Sequence, residues 1–236
     1  MYSAGHVRIY RLEDDGTSWE QIGEDIDGES DFDWLGHSVS LSANGSTVAI
    51  GASSFSLDST GYYVKVYHTD SDGRNMVQIG QTLSSNDIED YFGHSVDITA
   101  DGMTIICGSP GNFATDRPGH VRVFSLEGDV ILGTGTWKQI GQDIIGEANG
   151  DEFGYSVSIS DDGQILAVGA RFSNRVRVYR MNDSESGWVQ LDDDISAEYE
   201  TSVSLSGDGN KVSIGSQLYD NDNGTDSGRA RVYIWE

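Results

Sequence analysis

One short pattern limits the fold more than any other feature of this chain: a basic residue between apolar ones, with an aromatic behind. It reads Val7-Arg8-Ile9-Tyr10, Val64-Lys65-Val66-Tyr67, Val121-Arg122-Val123-Phe124, Val176-Arg177-Val178-Tyr179 and Ala230-Arg231-Val232-Tyr233. The first residues stand 57, 57, 55 and 54 apart in a chain of 236 residues. A period of that size marks stacked supersecondary units, because no single unit can bury its apolar face alone.

Three more segments keep the same period. One is Trp19-Glu20-Gln21-Ile22-Gly23, with counterparts starting at Met76, Trp137 and Trp188. Another alternates small and branched residues: Ser38-Val39-Ser40-Leu41-Ser42, then copies from Ser95, Ser156 and Ser202. The last is Val48-Ala49-Ile50-Gly51-Ala52, then copies from Ile105, Leu166 and Val212. Period two, bounded by turn residues, reads as strand. Named by type, the order within a unit is A (Ser-Val-Ser-Leu), B (Val-Ala-Ile-Gly), C (Val-Arg-Val-Tyr) and D (Trp-x-Gln-Ile-Gly). Asn44-Gly45, Asp101-Gly102, Asp162-Gly163 and Asp208-Gly209 sit between A and B, where a tight hairpin needs positive φ. Their acidic residues are therefore read as turn chemistry.

Only 36% of residues are hydrophobic and 30 are glycine, which argues against one thick core. Small residues fill A and B, and Tyr and Trp fill C and D. That grading suits sheets crowded near an axis and fanned apart outside. The expectation is an all-β fold, a small β-propeller of about four four-stranded blades in one domain, 1–236. The blades are placed at about 35–83, 92–143 and 153–195, with a last one from 200–236 plus 5–23. In that arrangement the termini pair to close the ring and remove an open edge. The alternative is an open propeller fragment of a longer array. Five copies of C against four of the other types leave one strand over, so the state expected is a monomer or a strand-swapped homo-oligomer.

Leu35-Gly36-His37-Ser38-Val39, Phe92-Gly93-His94-Ser95-Val96 and Phe153-Gly154-Tyr155-Ser156-Val157 each lead towards the Gly-Ala or Gly-Ser end of strand B. This resembles the FG-GAP repeat of integrin-α-type β-propellers over nearly the whole chain. Gly36, Gly93 and Gly154 match the motif glycine. The fourth copy, Tyr199-Glu200-Thr201-Ser202-Val203, has lost it. The resemblance implies a non-catalytic binding or adhesion module, with an extracellular or cell-surface setting, although the chain shows no signal peptide. It also implies calcium in an Asp-rich A–B loop. Here that loop has shrunk to a hairpin, too short to supply six to eight oxygen ligands, so those sites are expected to be absent. The remaining candidate metal loop holds Asp220, Asp222 and Asp226. No other cofactor is implied.

A formal net charge of −25 repels nucleic acid and anionic lipid and favours basic surfaces. No apolar run approaches the ~20 residues needed to span a bilayer, so direct membrane insertion is not expected. The lone Cys107, in an apolar strand, reads as a buried inert thiol. Arg8, Lys65, Arg122, Arg177 and Arg231 share one position and read as structural, each giving its head to a carboxylate or carbonyl. Acids ahead of strand A (Asp31, Asp33, Asp87, Asp90, Glu147, Asp151) read as a solvated rim. His37 and His94, equivalent to Tyr155 and Thr201, read as hydrogen-bonding near the inner strand. No Ser-His-Asp order or phosphate loop is present, so the chain is not expected to be an enzyme. The partner expected is a protein ligand. The alternatives are a glycan held on Trp19, Trp137 and Trp188, residues that read first as structural packing of the repeat, or assembly through the spare strand.

Overall fold

The computed structural model describes residues 3–53, 61–85, 89–111, 117–128, 134–184, 186–197, 201–220 and 224–235. Among them are nineteen strands and no helix. The first two, β1 (His6–Leu12) and β2 (Trp19–Asp27), form a hairpin of types C and D. A full blade follows, from β3 (Leu35–Leu41), β4 (Thr47–Ala52), β5 (Tyr63–Thr69), β6 (Met76–Gln78) and β7 (Leu83–Ser84). The second blade has β8 (Ser95–Ile98), β9 (Thr104–Ser109), β10 (His120–Glu127), β11 (Thr136–Gln139) and β12 (Ile144–Ile145). The third has β13 (Phe153–Ile159), β14 (Ile165–Ala170), β15 (Arg175–Met181) and β16 (Trp188–Ser196). Last come β17 (Thr201–Leu205), β18 (Lys211–Ser216) and β19 (Arg229–Ile234), types A, B and C. Every ladder within these sheets is antiparallel and joins neighbours in sequence order, except that β7 pairs with β5 and β12 with β10 as the second halves of a divided strand D; this is the propeller-blade meander.

Strand D is cut or bent by one residue per copy. Gly23, Gly80, Gly141 and Asp192 have φ of 70°, 69°, 73° and 56°. A glutamine clips each bend. Gln21, Gln78, Gln139 and Gln190 donate to the carbonyls of residues 23, 80, 141 and 192 at 3.2–3.4 Å. The same amide donates to Asp25, Thr82, Asp143 or Asp194. The repeated Gln of strand D therefore holds a bulge, which splits D into two short strands in the first two full blades.

Blades adhere through four hydrophobic clusters that lie between successive sheets. Near the hub the backbones almost touch. A Cβ on Gly51 or Gly108 would overlap the carbonyl of Gly93 or Gly154 in the next blade. Gly93 and Gly154 themselves have φ of 79° and 92°. Ser38 and Ser95 hydroxyls donate to those same carbonyls at 2.8 Å. The repeated glycines thus let two blades meet at backbone distance. On the opposite rim the A–B turns are stitched together: Ala43 N–H donates to Ala100, Ala100 to Asp161 and Asp161 to Gly207, at 3.1, 3.2 and 2.9 Å. Deeper in the hub, Asp97 of β8 accepts from Ser40 in the preceding blade and from Ser158 and the Ile159 amide in the following one.

The expected union of 5–23 with 200–236 is not in the hydrogen-bond pattern. Strand β2 pairs with β1 and β19 with β18, and among the described residues neither has a second partner. The N-terminal hairpin is instead held on the blade that follows it. Ile9, Ile22 and Ile26 pack with Val48, Ile50 and Tyr63, and residues 4–5 bond to Gly28 and Leu35. The strands form a four-blade β-propeller arrangement, with three complete blades, the A–B–C sheet of the last one, and a C–D hairpin that among the described residues is not hydrogen-bonded to it. The first full blade shows the gap in its exposure. Val39 and Leu41 are 55% and 54% exposed, whereas their equivalents Val96 and Ile98 are buried by the preceding blade.

Candidate binding face

Antiparallel pairing sends the D–A and B–C connections to one end of every blade and the A–B and C–D turns to the other. The A–B turns are minimal and internally satisfied. Asp101, Asp162 and Asp208 each accept from a hydroxyl two residues back and a backbone amide two residues on, as Asn44 does. The opposite end carries longer connections, and a groove of about 560 Å³ opens there over the second full blade.

Ser85, Asp90, Arg117, His120, Arg122, Asp143 and Ile145 line this groove. Strand β10 presents His120 and Arg122, strand β12 presents Ile145, and the D–A connection presents Asp90. Ser85 Oγ donates to Asp90 Oδ2 at 2.6 Å, and His120 Nδ1 faces Asp90 Oδ1 at 3.3 Å. Burial lowers the His120 pKa, with the Asp90 carboxylate opposing the shift. The order is Ser-Asp-His, with the acid in the middle, so the imidazole cannot take the serine proton. His120 Nε2 is buried without a hydrogen-bond partner. Arg122 makes a fork to Asp143 at 2.9–3.1 Å, and that arginine holds the Asp143 carboxyl below its ordinary value. Arg117 reaches Glu89 at 3.8 Å. Ile145 is 59% exposed in the same groove. The groove combines charge pairs with one exposed aliphatic side chain.

The shared basic position meets a carboxylate in four of its five copies. Arg8 forks to Asp25 at 2.8 and 2.6 Å, which draws the Asp25 pKa down to about 2. Lys65 pairs with Glu29 and lies 5.3 Å from the Tyr63 ring. Arg177 bonds Asp194 and Glu147. Among the described residues Arg231 reaches the Ser196 carbonyl and Tyr233 Oη, at 3.4 and 3.0 Å. The three aspartates were the signal left unread: each follows the strand-D glutamine by four residues.

Other candidates separate sharply. Trp137 and Trp188 are buried and donate Nε1–H to the Ile79 and Ile140 carbonyls, whereas Trp19 is 67% exposed. Gly36, like Gly93 and Gly154, has positive φ, at 91°. Asp33 and Asp90 are buried rather than solvated; Asp33 accepts from the Glu29 and Ser30 amides and from Tyr63 Oη. Asp31 and Glu147 are exposed, and Asp87 lies outside the described residues. Asp220 Oδ1 caps the Asp226 amide at 2.7 Å, and Asp222 lies outside the described residues. Among the described residues no three His, Cys, Asp or Glu side chains gather to hold a metal ion. Cys107 is fully buried, which raises its thiol pKa. His37 Nε2 lies 3.2 Å from His94 Nδ1, and the His94 ring meets Tyr155 at 4.8 Å with the planes tilted by 38°, a row of rings along the hub.

The FG-GAP repeat model matches residues 146–191. No curated protein matches the sequence. In fold the chain is similar to Kuenenia stuttgartiensis hydrazine synthase, with a TM-score of 0.62 at 16% identity, over 99% of this chain and 66% of that one. A putative 6-phosphogluconolactonase from Bacteroides uniformis ATCC 8492 gives 0.61 at 14% identity, over 100% and 62%. The Dos1 propeller gives 0.54 at 12%, over 89% and 48%. This chain therefore spans about two thirds of the first two and about half of the third. At such identities the likeness shows the β-propeller fold alone.

Proposed function

Starting from a propeller that carries the FG-GAP repeat, we propose that this chain is a non-catalytic module that binds a basic protein or cell-surface ligand through its D–A and B–C end. The observation that carries the reading is the groove over the second full blade. Its ionisable groups are already paired with one another, and Ile145 stands exposed among them. Such a surface offers an apolar anchor within a polar rim, the anatomy of a recognition patch. The net charge of −25 selects and steers basic partners. The glycan reading needs an exposed ring in each pocket, and burial of Trp137 and Trp188 leaves Trp19 as the one of the three in reach of a sugar.

The test immobilises the chain and screens it against purified cell-surface ectodomains and a glycan array. A basic protein ligand is expected, with affinity reduced at least tenfold by Ile145→Ala, which removes the exposed aliphatic anchor. Affinity unchanged in that variant, or binding to glycans alone, would overturn the reading.

A further inference from the structure

We propose that the groove over the second full blade holds a carboxylate subsite on Arg122, which takes an acidic side chain of the protein ligand. This deepens the reading above and rests on it for the kind of partner. The neighbouring blades show what the position does when it is filled from within. In the first and third full blades, the D–A connection leading into the blade carries a glutamate six residues ahead of Leu35 or Phe153, namely Glu29 or Glu147. Each glutamate meets the cation of strand C in its own blade. Glu29 pairs with Lys65, and Glu147 accepts from Arg177 Nη2 at 2.6 Å. In the second full blade the residue six ahead of Phe92 is Asn86, which lies outside the described residues. Arg122, the cation of that blade, bonds one carboxylate among the described residues, that of Asp143.

Exposure follows the number of carboxylates. The side chains of Lys65 and Arg177 are 7% and 13% exposed, against 26% for Arg122. Arg122 gives Nε and Nη2 to Asp143, and Nη1 makes no hydrogen bond among the described residues. A guanidinium has more donors than one carboxylate takes up. Arg177 demonstrates the double load: its Nη2 bonds Glu147 at 2.6 Å and Asp194 at 3.0 Å. Arg122 therefore has the donors for a second carboxylate, and it lines a groove of about 560 Å³ through which one can arrive from outside.

The rest of the lining admits an acid there. Arg117 and Arg122 balance Asp90 and Asp143, so the walls add no net negative charge. Both aspartates are already engaged, Asp143 by Arg122 and Gln139, Asp90 by Ser85. Ile145 stands 59% exposed in the same groove, so the acidic residue of the ligand is expected beside an aliphatic one. The chain's net charge of −25 draws in a basic partner, and the single acidic side chain then fixes its register on Arg122.

The test titrates acetyl-Leu-Glu-amide and acetyl-Leu-Gln-amide into the chain while the arginine Nε–H signals are followed by NMR. The Glu peptide is expected to move the Arg122 signal and to bind at least tenfold more tightly than the Gln peptide. Asn86→Glu, which gives this blade the glutamate of its neighbours, is expected to weaken the Glu peptide at least tenfold, whereas Asn86→Gln leaves it within twofold. Thermal melts at or above the parent midpoint show that both variants fold. Equal affinity for the two peptides overturns the proposal, and so does equal binding by Asn86→Glu and Asn86→Gln. A protein ligand that depends on Ile145 but is indifferent to Asn86→Glu sinks the subsite alone. Discrimination between the peptides supports the subsite even where no protein ligand is found, an outcome that sinks only the reading of the partner.

Discussion

Trp137→Ala and Trp19→Ala make the same chemical change at the same repeat position, yet the structure assigns them very different costs. Trp137 is 3% exposed, lies against the Gly80 bend and donates to the Ile79 carbonyl at 3.0 Å. Removing it leaves a cavity between the first two full blades and an unpaired buried carbonyl, a loss of about 3–5 kcal/mol. Trp19, with two thirds of its surface in water, falls among surface substitutions that change stability by about 0.5 kcal/mol or less. Urea unfolding followed by circular dichroism, at protein concentrations too low for association, reads the difference. With a slope of about 3 kcal/mol per molar urea, the Trp137→Ala midpoint falls by roughly 1 M or more, and the Trp19→Ala midpoint barely moves. Because each blade touches only its neighbours, the loss appears first as early melting of the blades on either side of the junction. Equal shifts in the two variants would refute the reasoning, since they would mean that the inter-blade seat does not hold Trp137.

Three more outcomes follow from the hub. Asp97→Ala removes the acceptor of three hydrogen bonds from two other blades and costs about 2–3 kcal/mol, while Asp101→Ala, in an exposed turn, costs under about 1 kcal/mol; similar losses in thermal melts would contradict the bridging role. Gly108→Ala drives a methyl into the Gly154 carbonyl and costs about 1–3 kcal/mol, and a neutral result in denaturant titration would place these blades farther apart than described. Burial takes the His94 pKa down to about 4, so the folded chain binds a proton there less readily than the unfolded one. The contribution of that imidazole is complete above pH 6.5 and lost as pH falls towards 4. Unfolding midpoints between pH 7 and 5 should fall less steeply in His94→Phe, and parallel curves would count against the shift.

The strands, their order and the sheets they form were legible because a period-two pattern and a fixed repeat directly encode pairing between adjacent segments. The bends at Gly23, Gly80 and Gly141 were visible as glycines, but not the Gln21, Gln78 and Gln139 clips that explain why glutamine recurs beside them. Two misreadings have one origin. Asp33 and Asp90 look like solvated loop acids in sequence, yet loop amides and hydroxyls fold over them and bury them. Whether β2 meets β19 depends on the angle each blade makes with the next. That angle sums the packing of whole faces, such as Ile9 and Ile22 on Ile50, and no local pattern records it.

The claim beneath all of this is that the sheets lean on one hub, and the amides of Ala43, Ala100 and Asp161 report on it directly. They sit in surface turns, yet each donates to the corresponding turn of the next blade. Amide hydrogen exchange resolved by residue should find these three protected like strand amides and losing that protection together with the blades. Free exchange at all three, beside protected strands, would mean that the sheets do not converge on a hub.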